Sequence, residues 1–218
     1  VISVKNTFER RLGLWPTGFD HDGVMWCNTA YGDYPTYLPS APERKTALPP
    51  RWMLLNYQKP VQVSSTLGGY LPNNAVDENI KTYWSATSGN KGEWIQTDLG
   101  NVSVINAVQI NYADQDVDQD RLGKRTGQYH RYILHYSADG KKWKILVDKS
   151  KNTTDVPHDY VELSEPVEAR YLKLENIHMP TGKFAISGFR VFGNGKGAKP
   201  EKVKQFMVLR TEKDKRSD

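Results

Sequence analysis

The sequence has one cysteine, Cys27, in 218 residues. No internal disulfide framework can form, and a metal site built on paired thiolates is excluded. No apolar stretch is long enough to span a bilayer, which argues against membrane insertion. Between Pro60 and Asn194 no run carries a convincing 3.6-residue period, so helices are not expected there. The catalytic signatures G-x-S-x-G and H-E-x-x-H are missing, as is a phosphate-cradling glycine loop. The glycine-rich GNGKGAKP comes closest, but it follows the last apolar run and opens no apolar helix.

Charge is present but unevenly placed. The formal net charge is +5. Residues 195–218 hold eight Lys/Arg against four Asp/Glu, so nearly all of the excess belongs to this tail. What precedes it is close to neutral and carries no phosphate-tracking stripe, so a nucleic-acid partner is not indicated.

The organising stretch runs from Pro60 to Asn194. Val61 to Ser64, Trp94 to Leu99, Tyr132 to Tyr136 and Trp143 to Val147 alternate with a two-residue period. In Val104 to Tyr112 the set Val104, Val108, Ile110 and Tyr112 reads as one face. Ala138-Asp139-Gly140-Lys141 reads as a hairpin turn. Val161 with Leu163, Leu172 with Leu174, and Ala185 to Phe192 complete the set. Short alternating strands separated by polar turns predict an all-β fold, an antiparallel jelly-roll sandwich.

The flanks read differently. Residues 1–50 contain two apolar runs, Leu12–Trp15 and Val24–Cys27, joined by Asp20-His21-Asp22-Gly23, which predicts a hairpin. A Pro-rich extended linker follows, anchored by Trp52 and Leu54. Residues 195–218 read as a linker and one more strand, Val203–Leu209, at the start of a following domain. No signal peptide is visible at Val1, so the chain reads as processed or as a fragment.

Several blocks carry a resemblance. They are Ala75-Val76-Asp77-Glu78-Asn79 with Thr82 and Trp84, Trp94 to Gly100, Tyr136 to Gly140 with Trp143, Ala169 to Leu174, and Ile186 to Gly193. In this order they resemble the discoidin, or coagulation factor 5/8 type C, family, whose carbohydrate-active members form carbohydrate-binding module family 32. The resemblance implies a galactose-binding-domain-like β-sandwich over 51–194 with no catalytic residues of its own. The stretch from Arg10 to Pro39 resembles the last blade of a family 43 glycoside hydrolase propeller. That implies an upstream catalytic domain as partner, a parent glycosidase of the kind found in Bacteroides-like gut bacteria, and a periplasmic, cell-surface or extracellular location.

The resemblance also implies a structural calcium held by the Asp77 and Thr82 side chains and nearby backbone carbonyls. The family's carboxylate near the last strand is replaced here by Gly188, and Asp77 with Asn79 can equally form a plain turn. Galactose-type members place a His after the Trp of the first block; this chain has Ser85. A sugar site must therefore come from its own loops, as aromatic faces with a few polar groups. The candidates are Tyr70, Tyr112, Asp114, Arg125, His158, Asp159, Tyr160 and Phe184. The expected ligand is a polysaccharide or oligosaccharide. The rival reading is a packing or interaction domain that binds no sugar.

Overall fold

The computed structural model describes residues 17–19, 21–27, 34–35, 51–118 and 128–195. The contacts divide the chain into two units, with the boundary between Met53 and Leu54.

In the first unit β1 (Thr17–Phe19) pairs antiparallel with β2 (Met25–Cys27), Thr17 facing Cys27 and Phe19 facing Met25. Gly23 supplies the left-handed backbone of the turn, at φ +73°. The expected hairpin forms, but its first strand is Thr17–Phe19, beyond Pro16, whose ring leaves no N–H for a ladder. Leu12–Trp15 lies outside the described residues. Near the unit's end the Arg51 N–H donates to Pro35 O at 2.7 Å, and the Arg51 guanidinium covers the buried Trp52 ring.

Among the described residues the second unit is all-β apart from one 3-10 turn at Pro72–Ala75. Its first described residue, Leu54, closes the two-residue strand β3 (Met53–Leu54) and is half-buried. Then come β4 (Val61–Val63), β5 (Trp84–Ser85), β6 (Trp94–Tyr112), β7 (Arg131–Ser137), β8 (Lys144–Asp148), β9 (His158–His178) and β10 (Ala185–Gly195). The hydrogen-bonded order is β3-β10-β6-β9-β7-β8, with β4 also on β6 and β5 on β10. The expected Val203–Leu209 strand lies outside the described residues.

Two strands are much longer than the sequence suggests. Trp94–Leu99 and Val104–Tyr112 are halves of β6, and the runs around Val161 and Leu172 are halves of β9. The β6–β9 ladder breaks between Asp98 and Ser103, where each strand turns a corner. Gly100 takes φ +83° there and its N–H donates to Asp98 Oδ1. Asp98 also receives Arg170 Nε and Nη2, at 2.7 and 2.8 Å. On β9 the residues across from this break are Ala169–Tyr171, so the Arg170–Asp98 pair spans the corner. One half of each long strand thus lies in each layer. Between the layers Trp84, Ile95, Ile105, Ile110, Leu134, Leu172, Leu174, Phe184 and Phe189 are fully buried in one core. Each such side chain contributes roughly 1.5–3 kcal/mol.

Bulges correct two of the periodic readings. A register shift between Ile105 and Ala107 changes which side chains face inward. Before it Ile105 is buried and Val104 is not, so Val104 leaves the face shared by Val108, Ile110 and Tyr112. A second shift, opposite Leu134 and His135, lies between Ile145 and Val147. It turns Ile145 out, 56% exposed, while Leu146 and Val147 meet the core. An inserted residue inverts a two-residue period beyond it.

Candidate functional site

The corner occupies one end of the sandwich. At the other end β6 and β9b (the second half of β9) finish, and β7, β9 and β10 begin. The described parts of the connecting loops, Ser64–Glu93, Ala113–Asp118, Gln128–His130, Lys149–Pro157 and Met179–Phe184, therefore gather there. Loops held on a rigid scaffold are where binding groups concentrate.

Their backbones are tied together. Ala86 N–H donates to Phe184 O, Phe184 N–H to Ser88 O, and Lys183 N–H to Gln115 O, each at 2.9–3.0 Å. The buried Asn176 amide donates to Gly89 O and Asn90 O, both at 2.9 Å. At Gly182, φ +75°, a Cβ would come within 2.4 Å of Gln115 O, so only glycine lets these loops meet. Glu93 receives the hydroxyls of Ser64, Ser65 and Ser88. Burial raises its carboxyl's pKa, but these hydroxyls outweigh that and hold it below the usual range.

Above this base two aromatic rings lie together. Tyr70 and Tyr83 are both half-buried, with centroids 4.8 Å apart and planes 31° apart. Tyr83 Oη donates to Gln115 Oε1 at 2.7 Å, and Gln115 Nε2 donates to Asp116 Oδ1 at 2.8 Å. Asp116 closes the series on the Lys183 ammonium. Burial, and then Tyr70, push the Tyr83 phenol up to about 12, so it stays a neutral donor. On the neighbouring turn Thr181 Oγ1 accepts the Asp118 N–H. Asp114 is exposed beside these groups; its partial desolvation and the nearby Asp155 raise its pKa.

Of the expected site residues, Tyr70 and Asp114 lie in this cluster. Tyr112 and Phe184 do not offer faces to a ligand: both are core residues. Phe184 is fully buried edge-on against Trp84, and buried Tyr112 stacks on His130 at 3.7 Å. The run His158-Asp159-Tyr160 is split by its own two-residue period. Asp159 points inward, where Tyr132 Oη donates to it at 2.8 Å and Lys149 Nζ lies 3.5 Å away. His158 and Tyr160 point to the opposite side of the sheet, His158 against Asn111 Oδ1 at 3.0 Å. These three cannot line one site. Arg125 lies outside the described residues.

Tyr83, Gln115, Asp116 and Lys183 were not among the expected set. The signal for Tyr83 was its neighbour: Trp84 is buried, so the ring before it points the other way.

The Asp77 loop is closed on itself. Asp77 Oδ1 accepts the Asn79 N–H at 2.9 Å, and Oδ2 accepts the Thr82 hydroxyl at 2.7 Å. Asn79 O already accepts the Thr82 N–H. Next along, Glu78 sits at φ +58° and turns both carboxylate oxygens to Arg190.

Residues 60–189 match the F5/8 type C domain family. Among solved structures, chitosan-binding module 1 of a chitosanase/glucanase from Paenibacillus sp. IK-5 superposes with a TM-score of 0.54 at 20% identity, over 65% of this chain and 99% of that one. Module 2 of the same enzyme, in complex with chitotriose, gives 0.53 at 22%, over 64% and 99%. The family 32 carbohydrate-binding module of Clostridium perfringens NanJ, in complex with galactose, gives 0.51 at 16%, over 65% and 98%. At these identities the likeness is one of fold. No curated protein matches in sequence. The family match spans more than half of the chain and the same jelly-roll: the chain belongs to the F5/8 type C, or discoidin, domain family.

Proposed function

We propose that this chain is a non-catalytic carbohydrate-binding module whose ligand sits on the loop end, against the Tyr70–Tyr83 ring pair. The ring pair carries the reading. Two half-buried phenols give C–H-rich sugar faces a platform, and Gln115, Asp116 and Lys183 beside them offer donors and acceptors for hydroxyls. The polar groups are already hydrogen-bonded to one another, so a sugar meets an ordered surface and little side-chain entropy is lost on binding. The solved modules that hold chitotriose and galactose share this fold, which supports the ligand class without choosing the sugar.

The likeness of residues 10–39 to a glycosidase propeller supports a finer reading. The module is joined to an upstream glycoside hydrolase, exported to the periplasm, cell surface or medium, and tethers it to polysaccharide.

The test is a glycan array of neutral, amino and acidic sugars, followed by calorimetric titration of the best ligand. Saturable binding of one sugar class is expected, and Tyr83→Ala is expected to weaken it roughly tenfold, about 1.4 kcal/mol, with the fold intact by circular dichroism. Silence across the array sinks the proposal and leaves a packing domain. Binding that survives both Tyr70→Ala and Tyr83→Ala moves the site elsewhere.

A further inference from the structure

Calcium needs six to eight oxygen ligands with lone pairs free to turn toward it. The carboxylates of the Asp77 loop do not offer such a set. Both Asp77 oxygens are accepting hydrogens from within the loop, and so is Asn79 O. Both Glu78 oxygens are held by a guanidinium. At Gly188, where the family resemblance expects a carboxylate, a Cβ would come within 2.7 Å of Asn111 Nδ2, so the Asn111 amide fills that space. Among the described residues no three His, Cys, Asp or Glu side chains are grouped to hold an ion.

A positive charge is nevertheless present. Arg190 lies two residues beyond Gly188 on β10, hence on the same face of the strand. Its Nε and Nη2 donate to the two Glu78 oxygens at 3.0 and 2.8 Å, its Nη1 donates to Gln109 Oε1 at 2.7 Å, and its plane covers the Phe192 ring. The side chain is 3% exposed. A planar fork with this many fixed donors recognises a carboxylate in one orientation only. That orientation explains why Glu78 tolerates a left-handed backbone, which costs a non-glycine residue energy unless its surroundings impose it.

We propose that the Arg190 guanidinium is the cation of this loop. It holds Asp77–Thr82 to β10 in the role that the family resemblance assigns to calcium, and so makes this module independent of metal. Because Tyr83 directly follows the loop, Arg190 is also a positioning residue for the ring platform.

The experiment uses the full chain and needs no sugar, so it fails or succeeds apart from the binding proposal. Melting temperatures are taken in chelator and in millimolar calcium, with calcium titration by calorimetry alongside. The expected result is the same melting temperature in both and no saturable heat. Glu78→Gln and Arg190→Met are each expected to lower it by roughly 5–10 °C. The double variant should fall no further than the worse single one, and calcium should restore none of them. In Glu78→Gln the Tyr83 ring resonances should shift, while those of the core methyls of Leu134 and Leu172 stay in place. If Arg190→Met does not fold, Arg190→Lys, which keeps the charge and loses the fork, is expected to give the same signs in smaller measure. Calcium that raises the wild-type melting temperature or binds saturably overturns the proposal. Additive losses in the double variant, or an unmoved Tyr83, overturn it as well.

Discussion

His130 is buried, stacked on Tyr112, and its Nδ1 has no hydrogen-bond partner. Burial, and then His178, lower its pKa to about 3 from an ordinary 6.5. The unfolded chain therefore binds a proton between those values that the folded chain refuses. Stability from this residue is complete above about pH 6.5 and falls as pH drops toward 3. Carboxylates such as Asp98, held low by Arg170, add their loss only in stronger acid. His130→Phe keeps the stack, so urea unfolding at pH 7, 6 and 5 should show a flatter slope than wild type; an unchanged slope shifts the effect to His178, whose pKa burial also lowers. A second residue-scale expectation concerns Tyr132→Phe. It strips one donor from the buried Asp159 carboxylate and should cost about 1.5–3 kcal/mol in the same assay. Sequence speaks unevenly here. Alternation sends Leu172 and Leu174 inward correctly, but an aromatic ring serves a core and a sugar platform equally well. Tyr112 and Phe184 are therefore legible as aromatic and not as buried, and Tyr83 hides beside Trp84.

Strands are where the sequence is read most fully and also where it misleads most regularly. Among the described residues the alternating runs become strands, because antiparallel layers with one wet face require that period. What periodicity cannot show is an inserted residue. Bulges at Ile105–Ala107 and opposite Leu134–His135 each invert a face, and only Pro166, on β9 across from the first, marks either in the local composition. A third, between Phe192 and Gly193 on β10, carries its own mark. A Cβ at Gly193 would lie 1.9 Å from Val104 O, a backbone atom that cannot swing aside. At Gly188 the obstacle is the end of the Asn111 side chain, which can. Gly193→Ala is thus expected to cost about 3 kcal/mol, the upper end of overpacking, and Gly188→Ala about 1 kcal/mol or less. Paired melting curves check this, and equal losses would contradict the contrast.

For the sandwich as a whole, β6 and β9 bind the two layers into one cooperative body, since neither layer can open without bending both strands. Amides of Ile95–Leu99 and Leu172–Leu174 should exchange with solvent only by global unfolding, at rates that match the unfolding free energy. Faster exchange in one layer than in the other would show that the layers open separately. The jelly-roll was legible from strand spacing. The merging of four runs into two strands was not, because Gly100 looks like an ordinary turn and nothing marks Arg170 as the matching corner of β9. The way the body is entered and left has a further consequence. Leu55 N–H donates to Val191 O at 2.8 Å, and the buried Asn56 side chain pairs with Phe189 O and Val191 N like an added strand residue. The first residues of the sandwich that are described and its last strand, β10, are therefore neighbours on one edge. A body whose ends meet can be spliced into a surface loop of an unrelated host without prying that host apart, or joined end to end and reopened at the exposed Gly100-Asn101 corner with its sugar-facing loops untouched.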